Sequence, residues 1–137
     1  MSIIQTQTTS FKAELYQGVH NLLSDTIKIA LYTGNASLGY ATTVYSSTNE
    51  ASGTGYTAGG VVMTGVTINT SGYVAYVNFS NVVFNASVIA RCALIYNHSK
   101  GDKSICVLDF GSDKTSSNFT ITMPANTATA ALIRSSN

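Results

Sequence analysis

Residues 52–60 read "SGTGYTAGG", four glycines in nine positions set among small hydroxylated side chains and one tyrosine. A glycine-rich loop that cradles phosphate runs from a strand into a helix, whose N-terminal N–H groups face the anion. The spacing here is G-x-G-x-x-x-G, one residue off the dinucleotide fingerprint. Thr48-Asn49-Glu50 precedes it, the β-branched run "VVMTGVTI" (61–68) follows it, and no Lys-Ser/Thr pair completes a Walker loop. The stretch therefore reads as a connection feeding a strand. Gly53, Gly55, Gly59 and Gly60 either permit backbone angles that other residues avoid or let another chain approach closely. With no regular βαβ alternation around it, a doubly wound nucleotide fold is set aside.

Working outward, strand patterns dominate. "GYVAYVNFS" (72–80) places Tyr73, Ala75, Val77 and Phe79 on one face and Val74, Tyr76 and Asn78 on the other. In "TIKIALYT" (26–33), Ile27, Ile29 and Leu31 alternate with Lys28, Ala30 and Tyr32, a strand with one buried face. Gly65 interrupts the run after the glycine stretch and marks a candidate bulge. Further strands are expected at 41–45, 82–84, from about 88 to 96, in "SICVLDFG" (104–111) and in "NFTITMP" (118–124), which the only proline stops. "HSKGDKS" (98–104) is a polar hairpin loop, and "ATAALIR" (128–134) fits a short helix or a final edge strand. One good helix precedes the strands. In "TSFKAELYQGVHNLL" (9–23), Thr9 or Ser10 caps, and Phe11, Leu15, Val19 and Leu22 form an apolar stripe. Gly18 reads as an interior glycine that weakens this helix by roughly 1 kcal/mol, and Asn21 or Ser24-Asp25 ends it. The expected fold is mainly β, an antiparallel sandwich or barrel-like domain with one short N-terminal helix. Residues 1–9 are expected to be a flexible arm, and residues 10–137 a single β-rich domain.

The 137 residues suffice for one domain with a real core. Charged residues make up only 9%, against about 25% in an average domain. The polar surface must then come from Ser, Thr, Asn, Gly and Tyr, which suits a protein packed against partners. A net charge of +1 implies no bulk attraction to nucleic acid or an anionic membrane. Lys100 and Lys103 come close to clustering, but Asp102 lies between them. The N-terminus lacks the charged start and apolar run of a signal peptide, and no stretch approaches the ~20 apolar residues of a membrane span. Synthesis and assembly in a cytosol are expected. Cys92 and Cys106 then read as reduced core thiols, with a cross-strand disulfide as the lesser reading. The six Asn-x-Ser/Thr sequons read as products of composition.

The raw material for catalysis is thin. "DFG" (109–111) matches the kinase magnesium motif in isolation and reads as a strand leaving into a turn. Asp109 and Asp113 are better explained by turn chemistry than by a shared cation. His20 and His98 have no evident nucleophile or acidic orienter beside them in sequence. No catalytic residue, metal site or cofactor is assigned, and the chain is read as a non-enzyme. The eight tyrosines say more. Tyr40, Tyr45 and Tyr56 fall in or beside the Gly/Ser/Thr-rich region. Tyrosine carries apolar area and a hydrogen-bonding tip, so these rings suit a partner surface or pack on their own sheet. The candidate partner interface is Tyr40, Tyr45, Gly53, Gly55, Tyr56, Gly59 and Gly60, together with the N-terminal arm.

The segments "FKAELYQGVHNLLSDTIKIALYT", "TTVYSSTNEASGTGYTAGGVVMTGVT", "ARCALIYN" and "VLDFGSDKT" together resemble a family of small phage proteins encoded among the head-assembly genes of tailed phages. The likeness covers residues 11–134, and "E-x-SGTGYTAGG", from Glu50, is its most specific part. It implies a phage origin and a structural role in the virion, as a capsid decoration or cement protein. The implied partners are the major capsid protein and copies of itself, after assembly in the host bacterial cytoplasm. No catalytic residue is implied. Two other readings fit the composition: a tail, neck or fibre-associated virion component, and a carbohydrate-binding module whose tyrosines stack on sugar faces.

Overall fold

The computed structural model describes residues 2–136. In chain order the elements are β1 (Thr6–Gln7), α1 (Thr9–Tyr16), β2 (Ile27–Tyr32), β3 (Gly53–Thr54), β4 (Val61–Val62), β5 (Thr67–Ser71), β6 (Val74–Asn78), β7 (Val82–Phe84), β8 (Ser87–Asn97), β9 (Lys103–Ser116), β10 (Phe119–Ile121) and β11 (Ile133–Ser135). All strand pairings are antiparallel. The largest sheet runs β1-β9-β8-β2-β4, with β3 also on β8, while β11-β6-β5 form a second sheet and β10-β7 a third. The fold is mainly β and sandwich-like, as its strand patterns predict, and the sheets do not close into a barrel.

The long β8–β9 hairpin is the spine. Its tip is a 3-10 turn, His98–Lys100, capped by the Asn97 side chain and closed by Gly101 and Asp102 at positive φ. Two irregularities bend it. Ile95 pairs with Cys106 and Tyr96 with Ser104, so Ile105 is an extra residue, and both Ile105 and Cys106 enter the same core cluster. Farther along, Cys92 pairs with Asp109 and Ala90 with Lys114, leaving residues 110–113 bulged around Gly111 (φ 84°). The "DFG" motif is therefore not a strand end. The strand continues through it to Ser116.

β2 corrects the one-faced expectation. Ile27, Ile29 and Leu31 enter the cluster between the sheets, with Phe11, Phe84, Ile95 and Ile133. Ala30 and Tyr32 enter a second cluster on the opposite face, with Leu94, Tyr96 and Val107, under Ile3, Leu38 and Tyr45. Residues 33–50 have little regular structure and form that second cover. The strand expected at 41–45 is reduced to one bridge, Val44 to Lys103. Cys92 and Cys106 are free buried thiols in different clusters. Burial pushes them up to about 11 and about 12, with the Asp109 charge adding to the rise at Cys92.

The helix is shorter than its apolar stripe suggests. Thr8 caps it, accepting from the Phe11 N–H, and Gly18 at φ 71° ends it. The Gly18 N–H reaches the Leu15 carbonyl and the Val19 N–H the Glu14 carbonyl, the paired bonds of a Schellman motif. Gly65 is a corner rather than a bulge. It lies between β4 in the large sheet and β5 in the three-stranded one, and a Cβ there would meet Ser80 Oγ at 1.9 Å. "ATAALIR" resolves to the edge strand β11 on β6. Where an arm is expected, residues 2–7 are hydrogen-bonded within the chain: Ile4 N to the Leu38 carbonyl, and β1 to β9 at Cys106 and Val107. Their backbone satisfies the β9 edge and the 33–50 segment, so they belong to the domain.

Candidate interaction surface

The glycine-rich segment lies along the edge of β2. β4 pairs with β2 only at Lys28 and Ile29. Beyond that, the Leu31 N–H donates to the Tyr56 hydroxyl (2.9 Å), and the Leu31 carbonyl accepts from the Ala51 N–H (2.8 Å). A bridge from Glu50 to Tyr32 continues the contact. This close approach explains the glycines. A Cβ on Gly60 would stand 1.8 Å from the Ile29 carbonyl oxygen, and one on Gly53 2.0 Å from that of Ser87. Gly55 and Gly59 both have positive φ. The glycines let a segment of the same chain seal an edge of its own sheet.

Glu50 fastens this segment. Its Oε1 accepts from the Tyr45 hydroxyl (2.5 Å), and its Oε2 accepts from the Tyr56 hydroxyl (2.5 Å) and the Gly59 N–H (2.8 Å). Tyr45 stacks on Tyr96 at 4.7 Å, and Tyr56 on Phe84 at 5.9 Å. The Tyr96 hydroxyl donates to the Gly59 carbonyl, and that of Tyr32 to the Ser46 carbonyl. Burial, then the hydrogen bond to the Glu50 carboxylate, raises Tyr45 and Tyr56 far above the ordinary phenol range. Burial and the Glu50 charge do the same for Tyr32. Burial, with the charges of Asp102 and Glu50, pushes Tyr96 up to about 12. This role of Glu50 is not evident from its place before the glycine stretch. Tyrosines five residues before and six after one carboxylate were the available signal.

Of the candidate interface residues, the structure thus brings together Tyr45, Tyr56, Gly59 and Gly60 and gives them partners inside the chain. Gly53 and Gly55 lie against β8 and the turn before it. Tyr40 stands apart at 60% exposure, joined through its carbonyl to the Thr9 N–H. The most exposed rings are Tyr16 at 94% and Tyr73 at 73%, and Leu23, Val62, Val83, Ile89 and Ile68 are also exposed. Much of this surface comes from residues 51–90, which contain no Asp, Glu, Lys, Arg or His and supply β3 through β7. This surface offers apolar area, hydroxyls and backbone groups rather than charged side chains.

The ionisable groups sit elsewhere. The His20 side chain is fully buried against Phe11. Asn97 Nδ2 donates to Asp25 Oδ2 (2.8 Å) and faces His20 Nδ1 (2.9 Å), which therefore accepts, leaving Nε2–H for Glu14 (2.8 Å). Burial alone would raise Asp25. Hydrogen bonds from Asn97, the Asn21 N–H and the Lys100 ammonium reverse this and hold it at about 2. Asp109 is lowered by the Gly111 N–H, against some burial, with help from Arg91 at 3.1 Å. His98 pairs with Asp102 at the hairpin tip. Both histidines contact a carboxylate, and neither bonds to a hydroxyl or thiol. Among the described residues no three His, Cys, Asp or Glu side chains are grouped to hold a metal.

A scan of protein-family models, a search of curated proteins and a search of solved structures each find no match to this chain.

Proposed function

We propose that this chain is a structural protein of a tailed-phage virion, a decoration or cement protein that lies on the head and ties neighbouring subunits together by noncovalent contacts. Its partners on this reading are the major capsid protein and other copies of itself. The observation that carries it is the exposure of large apolar side chains, Tyr73, Val62, Ile68, Val83 and Ile89 among them, within residues 51–90, a stretch that holds no charged residue. Such a surface buries area against many neighbours without requiring matched ion pairs. Repetition on a shell multiplies weak contacts into firm attachment. The likeness read from the sequence over residues 11–134 implies the same role.

Mass spectrometry and cryo-electron microscopy of purified particles of the phage encoding it test the proposal. The expected result is density for this domain on the head at on the order of hundreds of copies, as shell symmetry requires. About a dozen copies at the neck or tail would replace the decoration role with a tail or neck role. Absence from the particle overturns the virion reading.

A further inference from the structure

An edge strand presents unpaired N–H and C=O groups, and proteins guard such edges by shortness, charge, proline, bulges or cover. Most edges here are guarded. β1 and β4 have two residues each, and β7 and β10 three. β11 has three and carries Arg134. Beyond β1, the outer edge of β9 bears Asp109, Asp113 and Lys114 and is bent by the bulge at Gly111. β5 lacks these defences apart from one side-chain contact at its first residue, where Asn126 Nδ2 donates to Thr67 Oγ1 (3.2 Å). Its five residues, Thr67–Ser71, are all exposed and uncharged, lack proline, and pair with β6 without a register shift. Among the described residues no strand lies on its outer side.

Its flank is apolar as well. A groove of about 410 Å³ runs between α1 and the inner face of the β11-β6-β5 sheet, lined by Leu15, Leu22, Ile68, Val77 and Ile133. Leu15 and Ile68 are partly exposed there. Their chain neighbours Tyr16 and, next to Leu22, Leu23 are more so.

We propose that β5 pairs antiparallel with β5 of a second copy of this chain across a two-fold axis, joining two three-stranded sheets into one of six strands. The symmetry favours a second copy. At a two-fold axis a residue meets its own counterpart, so any charge there would face a like charge. Residues 51–90 hold no such charge. Centred on Asn69, the pairing sets Thr67 opposite Ser71 and Ile68 opposite Thr70, matching hydroxyl with hydroxyl and methyl with methyl. Five residues of edge bury less than the roughly 1,200 Å² of a stable interface, so Leu15, which lines the groove beside Ile68, adds its area and the dimer is weak, of about micromolar strength. This inference does not depend on the virion reading, because the dimer forms in the purified protein without a shell.

Sedimentation velocity of the full chain from about 1 µM to about 500 µM tests it. The expected result is a monomer that shifts to a dimer across the range. Asn69→Lys and Asn69→Glu each keep the chain monomeric while preserving its circular dichroism, and an equimolar mixture of the two restores the dimer. Should either variant misfold, Thr70→Lys and Thr70→Glu repeat the comparison. A wild-type monomer at the highest concentration overturns the proposal, as does a dimer indifferent to these charges. Slowed hydrogen exchange in β5 that requires added phage heads and not high protein concentration would assign the edge to a shell protein, and would likewise overturn it.

Discussion

Glu50 accepts three hydrogen bonds on two carboxylate oxygens and so holds residues 45, 56 and 59 against a strand that has run out of strand partners. Hydrogen bonds to a charged acceptor are stronger than neutral ones, and a donor left buried without a partner is penalised further. Glu50→Gln keeps the shape, removes the charge and turns an amide N–H₂ toward groups that already donate. It is expected to lower the unfolding free energy by roughly 1–3 kcal/mol in urea titrations, with the folded spectrum retained. An unchanged midpoint would show that the carboxylate does not hold the segment. The glycines beside it were only half legible. Their flanks in the sequence reject phosphate binding, because no helix follows them. The reason Gly60 has no side chain is the Ile29 carbonyl, about thirty residues earlier in the chain, and no local pattern reports such an approach.

Among the elements, α1 shows how periodicity overruns a boundary. Phe11, Leu15, Val19 and Leu22 keep helical spacing, yet the helix stops at Tyr16 and the chain reverses through Gly18. Leu22 still reaches the core by that other path, so its burial follows from hydrophobicity and not from the helix. The sign of a mutation separates the two descriptions. In a helix interior, Gly18→Ala would stabilise by up to about 1 kcal/mol. At φ 71°, with open space around the Cβ position, the same change is expected to destabilise by about 1 kcal/mol, measured as a lowered thermal midpoint. A raised midpoint would restore the longer helix. β2 is read as a strand, but its second buried face is missed for a related reason. Its alternation is real, but Ala30 and Tyr32 are covered by residues 33–50, whose composition looks like loop and carries no period. Strand β10 was legible through its alternation, and β6 and β8 through β-branched and aromatic runs bounded by turn residues, although β6 does not alternate and β8 is buried on both faces over its second half.

In the molecule as a whole, few charges leave few groups to set its response to pH, and two clusters at different places bound its stability. On the acid side stands Asp25, held at about 2 by Asn97, the Asn21 N–H and Lys100, where the segment before β2 meets the hairpin tip. A carboxyl depressed in the fold contributes stability above its unfolded value near 4, and that stability is lost as pH falls toward 2. Asp109, lowered chiefly by the Gly111 N–H, acts with the same sign. On the alkaline side stand Tyr32, Tyr45, Tyr56 and Tyr96, raised by burial and by the Glu50 charge they surround. A phenol raised in the fold contributes stability in full below its unfolded value near 10, and loses it as pH climbs beyond. Urea unfolding across pH is therefore expected to show a plateau between about pH 4 and about pH 10, falling on both sides. Asp25→Asn lowers the plateau and flattens the acid limb by on the order of 1 kcal/mol, leaving the alkaline limb in place. An acid limb of unchanged depth in that variant would remove Asp25 from this role. Phenolate absorbance that rises in these four tyrosines before the fold opens would do the same for the cluster around Glu50.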